Sequence, residues 1–113
     1  MWIVDLTLES GGTLSQFTNE AVEGFTATLA LTAGVETRQV LGVVRIVNGT
    51  VNLQFLITVS TESIAEVTMR ELLPAIRTSA LASTWLGVHI IQQGKAAIYQ
   101  RKDTKDPQVR RAL

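Results

Sequence analysis

Val40-Leu41-Gly42-Val43-Val44-Arg45-Ile46-Val47-Asn48-Gly49-Thr50-Val51-Asn52-Leu53-Gln54-Phe55-Leu56-Ile57-Thr58-Val59-Ser60 is the stretch that decides the fold. Two runs rich in β-branched residues flank Asn48-Gly49, a dipeptide that supplies the positive φ angles of a two-residue type I′ turn. So short a turn fixes the pairing. Val47 then faces Thr50, Ile46 faces Val51, Val44 faces Leu53, Gly42 faces Phe55 and Val40 faces Ile57. One side of the hairpin collects Val40, Gly42, Val44, Ile46, Val51, Leu53, Phe55, Ile57 and Val59. The other collects Leu41, Val43, Arg45, Val47, Asn52, Gln54, Leu56 and Thr58. The apolar sets coincide only in this register, because a slip of one residue sends every side chain of a strand to the opposite face.

Outward from the hairpin, Trp2, Val4, Leu6 and Leu8 alternate with Ile3, Asp5, Thr7 and Glu9, the period of a strand with one buried face, and Ser10-Gly11-Gly12 ends it. Thr13-Leu14-Ser15-Gln16 has capping-box spacing. Leu14, Phe17, Ala21, Phe25 and Leu29 then recur at three and four, with Gly34 as a stop, and predict a helix over 14–33. Residues 25–32 also alternate with period two, so a helix followed by a strand stays open as the alternative. Beyond the hairpin, Ser63-Ile64-Ala65-Glu66 is a second capping box. Ala65, Met69, Leu72, Ile76 and Ala80 form a helical stripe, which Pro74 should kink or break. Trp85 to Gln92 is predicted as the fourth strand, with Leu86, Val88 and Ile90 on one side and Gly87, His89 and Ile91 on the other. Gln93-Gly94 is a turn, and Ala96 to Arg101 a short additional strand. Asp106-Pro107 has the form of a helix start within a polar tail.

Strand, helix, strand, strand, helix, strand is the split β-α-β order of a ferredoxin-like α+β fold. It predicts an antiparallel sheet in the order 4-1-3-2, two helices on one face, and an extra C-terminal hairpin strand. Residues 1–101 form a single domain and 102–113 a basic tail or short helix. The helix-covered face should hold Trp2, Val4, Leu6, Leu8, Val44, Leu53, Phe55, Ile57, Val88 and Ile90. The uncovered face should show Ile3, Asp5, Thr7, Leu41, Val43, Arg45, Asn52, Gln54, Leu56, His89 and Ile91. That set is too apolar for a face wholly in water and too polar for a private core. Trp2-Ile3-Val4-Asp5-Leu6-Thr7-Leu8, Val51-Asn52-Leu53-Gln54-Phe55-Leu56-Ile57 and the helix over 65–80 together resemble small uncharacterised ferredoxin-like proteins of actinobacteria and their phages. The resemblance spans residues 2–92. It implies the fold and carries no activity with it.

Composition narrows the function classes. The chain has 113 residues, 46% of them hydrophobic and 18% charged, with one histidine and no cysteine. This is the profile of one globular domain, not of a disordered chain. It excludes disulfides, thiolate metal sites and multi-His metal centres, and no cofactor-binding motif is present. Residues 1–94 carry eight acidic against four basic side chains, net −4, and residues 95–113 carry six basic against two acidic, net +4. The start lacks the positively charged region of a secretory signal and no run is long enough for a membrane helix, so a cytoplasmic protein without membrane contact is expected.

Three functional readings follow. The first is a non-enzymatic interaction module, an accessory or phage-encoded protein, that forms a homodimer or binds a protein partner through Leu41, Val43, Arg45, Gln54, Leu56, His89 and Ile91. The second is a small enzyme or ligand binder with a pocket near His89, the one side chain that ordinarily titrates near neutrality, approached by Asp5 or Thr7 and supplemented by Arg45, Asn52 and Gln54. The third is nucleic-acid binding through Arg101, Lys102, Lys105, Arg110 and Arg111. A net charge of zero and a tail without aromatic residues to stack on bases weigh against it.

Overall fold

The computed structural model describes residues 1–101. Strand β1 is Trp2–Ser10, helix α1 Asn19–Ala33, strand β2 Val40–Val47, strand β3 Thr50–Val59, helix α2 Glu62–Ile76, helix α3 Ser79–Leu86 and strand β4 Lys95–Gln100. The sheet runs β2-β3-β1-β4 with every neighbouring pair antiparallel. This is the expected ferredoxin-like α+β arrangement, with α1 and α2 as the main helices.

The hairpin forms as its turn chemistry dictates. Asn48 and Gly49 take φ of 51° and 81°. Val47 pairs with Thr50, Val44 with Leu53 and Val40 with Ile57. β1 lies along the other side of β3, from Trp2 opposite Val59 to Ser10 opposite Val51.

Burial divides the sheet into two unlike faces. Val4, Leu6, Leu8, Val51, Leu53, Phe55 and Ile57 form one core with Phe25, Leu29, Ala65, Leu72 and Ile76 of the helices. Fully burying one such large apolar side chain contributes about 1.5–3 kcal/mol. Phe55 meets the Phe25 ring edge-on at a centroid separation of 6.5 Å, and Phe25 meets Phe17 at 6.1 Å. Among the described residues no helix covers the alternate strand residues.

α1 starts later than the sequence predicts but ends where predicted, α2 starts and stops earlier, and a third helix forms. The Thr13–Gln16 spacing does close a turn, with Gln16 Oε1 accepting from Thr13 N at 2.8 Å. It caps only a single 3-10 turn, Leu14–Gln16. α1 begins at Asn19, with Thr18 Oγ1 accepting from Ala21 N at 3.2 Å, and ends at Gly34 with φ 74°. The period-two pattern at 25–32 therefore lies within one helix and no strand splits it. α2 is capped by Thr61, not Ser63: Thr61 Oγ1 accepts from Ile64 N at 3.2 Å. Pro74 sits in the last turn of α2, and the expected break falls just after it, at Arg77-Thr78.

The strand expected over 85–92 does not form. Residues 79–86 make α3, capped at its start by Thr78 and closed by Gly87 at φ 76°. The C-terminal strand read at 96–101 takes the place beside β1 instead, with Ala97 opposite Asp5 and Lys95 opposite Thr7. Only Ile90 of the earlier segment reaches the sheet, in a single bridge to Ser10. Between that bridge and β4, residues 91–94 bulge past two residues of β1. Gly94 is required there, because a Cβ would lie 2.6 Å from Leu8 Cδ2 and 2.9 Å from Ile76 Cβ. Val88 and Ile90 still pack on the core as the sequence implied, although neither lies in a strand.

Candidate functional site

The helix-free sheet face is the candidate site, and its rows follow from the register. One row runs Leu41, Leu56, Asp5, Ala97 across the four strands. The next runs Val43, Gln54, Thr7, Lys95, and the third Arg45, Asn52, Glu9. At the opposite end lie Thr58, Ile3 and Tyr99. The face is thus mixed. Leu41, Val43 and Leu56 cluster on β2 and β3, Asp5 separates Leu56 from Ala97, and Arg45, Asn52, Gln54, Thr7, Glu9 and Lys95 make the other half polar.

Hydrogen bonds tie the polar half together. Gln54 Nε2 donates to both Asp5 oxygens, at 3.2 and 3.1 Å, and Gln54 Oε1 accepts from the Arg45 guanidinium. Gln54 therefore bridges Arg45 to Asp5, using both ends of its amide. The chain is a positioned polar rim, which Thr7 Oγ1 joins by donating to Asp5 Oδ1 at 3.5 Å. Leu41 is 59% exposed. Leu56 beside it is half-buried, whereas Ile3, on the same face, is only 5% exposed beneath its neighbours.

Of the residues predicted for this surface, the structure brings Leu41, Val43, Arg45, Gln54 and Leu56 together. His89 and Ile91 stand apart, at the corner where the 89–91 segment meets the end of β1. Gly11 N donates to the His89 carbonyl at 3.1 Å and Ile91 N to the Glu9 carbonyl at 3.0 Å. His89 does not reach Asp5 or Thr7. Asp5 lies six residues down β1 from Gly11, roughly 20 Å at the usual strand rise. The sequence reading missed Tyr99, Ala97 and Lys95, which the alternation within Lys95-Ala96-Ala97-Ile98-Tyr99 already signalled.

His89 does border a cleft of about 510 Å³, lined also by Ser10, Gly11, Gly12, Thr13, Gln16, Phe17, Gly87 and Val88. The backbone donors of its glycine turn are engaged within the protein. Gly11 N bonds His89 O, Gly12 N bonds Ser10 Oγ at 3.1 Å and Thr13 N bonds Gln16 Oε1. The glycine turn therefore cradles no anion, and Asp5, Arg45, Asn52 and Gln54, the polar partners expected for a pocket at His89, lie on the sheet face instead. Among the described residues no three His, Cys, Asp or Glu side chains are grouped to hold a metal ion, and no helix is long and apolar enough to cross a membrane.

Of the basic residues proposed for nucleic acid, Arg101 is exposed, with its backbone N bonded to Met1 O at 2.8 Å. Lys102, Lys105, Arg110 and Arg111 lie outside the described residues. Comparison with known proteins gave no match: no family model, no curated protein and no solved structure matches the chain.

Proposed function

We propose that this chain is a non-enzymatic protein-interaction module that self-associates by stacking its helix-free sheet face on the same face of a second copy. The observation that carries the reading is the Leu41–Leu56 pair, adjacent across β2 and β3 on a face that no helix covers among the described residues. Val43 extends the pair to a small apolar patch on β2 and β3, bordered by the hydrogen-bonded Arg45, Gln54 and Asp5. Patches of this composition mark association surfaces, in which an apolar centre supplies most of the energy and a polar border fixes orientation. A homodimer is the simplest assembly that covers the patch, and an accessory or phage-encoded subunit is the role such a module would fill.

Light scattering and sedimentation over a concentration series test the reading. The native chain is expected to gain mass with concentration. Leu56→Asp, which places a charge at the centre of the patch, is expected to weaken that association at least tenfold while leaving the circular dichroism spectrum unchanged. A native chain that stays monomeric at the highest soluble concentration, or association indifferent to Leu56→Asp, would refute it.

A further inference from the structure

We propose that the free edge of β2 is a second self-association surface, on which another copy adds its own β2 antiparallel about a two-fold axis at Val44, giving one continuous eight-stranded sheet. This inference goes beyond the stacking of open faces and does not depend on it.

The backbone supplies the first argument. In a two-residue hairpin the residues flanking the turn form a hydrogen-bonded pair. Val47, Arg45, Val43 and Leu41 therefore bond to β3, while Ile46, Val44 and Gly42 turn their N–H and C=O groups outward. Edge strands ordinarily carry a bulge, a proline or several charges to prevent further pairing. β2 has an unbroken register from Val40 to Val47, no proline and one charge, Arg45. That charge is drawn back over its own sheet to Gln54. The opposite edge is guarded: β4 is shorter, opens with Lys95 and follows the 91–94 bulge.

Side chains select the occupant and the register. β2 exposes Leu41 at 59%, Ile46 at 50% and Val47 at 39%. Pairing centred on Val44 sets Leu41 opposite Val47 of the second copy and Ile46 opposite its Gly42, so all three are covered at once. Gly42 itself has no side chain, and the space above it is filled by Val22 and Thr26 of α1. Helix α1 lies close over it, since a Cβ there would fall 2.8 Å from Val22 Cγ1. Beside the edge runs a groove of about 480 Å³, lined by Leu14, Phe17, Val22, Gly42 and Val44 together with the polar Asn19 and Glu23, and the incoming Ile46 would lie along its apolar side. Three outward-facing pairs, Gly42–Ile46, Val44–Val44 and Ile46–Gly42, exchange two bonds each, about six hydrogen bonds across the axis. The strand is thus complementary to itself.

Cross-linking tests the register directly. The chain has no cysteine, so Val44→Cys introduces a single thiol, placed about 5.5 Å in Cα separation from its copy by the two-fold axis and within disulfide reach. Mild oxidation of the full chain is expected to yield mostly covalent dimer, at least tenfold more than Leu31→Cys, a thiol on the outer surface of α1. Equal yields from the two variants would overturn the proposal. A second arm separates the edge from the open face. In Leu56→Asp the edge dimer should persist in sedimentation. Adding Val44→Pro should abolish it, because that proline removes only an outward N–H and leaves the ladder to β3 intact. A Leu56→Asp chain already monomeric at every concentration removes the edge and leaves the stacking reading standing. Association lost to Val44→Pro but indifferent to Leu56→Asp does the reverse.

Discussion

Asn52 is the residue whose environment fits it worst. It stands between Arg45 and Glu9 in the polar row of the open face, and its Oδ1 is closed off from solvent with no donor. Arg45, the donor opposite in register, reaches diagonally to Gln54 instead. A buried acceptor left unsatisfied costs about 1–3 kcal/mol, whereas an apolar side chain of similar shape carries no such penalty. Asn52→Val is accordingly expected to raise stability by about 1 kcal/mol, helped by the β propensity of valine. Urea unfolding measures it, and a lower midpoint would contradict the account. Most of this site was readable residue by residue: alternation alone placed Leu41, Val43, Arg45, Asn52, Gln54 and Leu56 on one face. The Gln54 bridge was not readable, because it depends on which of several polar neighbours wins each amide group, and β1 and β4 help to decide that.

At the scale of elements, caps mark α3 where periodicity conceals it. α3 was concealed because Leu86, Val88 and Ile90 alternate as a strand would, yet Thr78 and Gly87 bracket it as a helix. Thr78 Oγ1 accepts from Leu81 N at 3.1 Å, and the Gly87 N–H closes on Ser83 O at 2.8 Å. A helix of eight residues has little intrinsic stability and leans on its ends and its docking. The docking includes a Trp85 Nε1 hydrogen bond to Thr32 Oγ1 of α1 at 3.0 Å. Thr78→Ala should cost about 1 kcal/mol, the usual value of such a cap. Denaturant midpoints would show this, and no change would mean that α3 is held by packing alone. The displacement of the fourth strand from 85–92 to 95–100 has the same origin. Both segments alternate, but only the second has room beside β1 once α3 is docked and Gly94 lets the chain pass over Leu8 and Ile76.

For the molecule as a whole, charge and apolar surface pull the same way. Its formal net charge is zero, so no long-range repulsion holds copies apart at neutral pH. The proposed association through Leu41 and Leu56 would remove apolar surface from water, and sulfate strengthens such burial by exclusion from the protein surface. The dissociation constant is expected to fall several-fold in ammonium sulfate and to change little between low and moderate sodium chloride. A steep weakening with sodium chloride in analytical ultracentrifugation would instead assign the contact to charge pairs. The proposed open-face stacking and β2 edge pairing are both two-fold and share Leu41 but otherwise use different residues. Operating together they would either close a tetramer of two stacked eight-stranded sheets or, if the axes do not close, extend into a filament.

What the amino-acid order determined alone is local and periodic: the hairpin register from Asn48-Gly49, the two unlike faces of β1, β2 and β3, and the order of strands around two main helices. Each follows from contacts between near neighbours or from a repeat of two or four residues. The tertiary structure decided which of two alternating segments became β4, where α2 gives way to α3, and that His89 sits at a corner of the sheet apart from Asp5. Those outcomes depend on space left between elements already packed, and no local pattern records how much space remains.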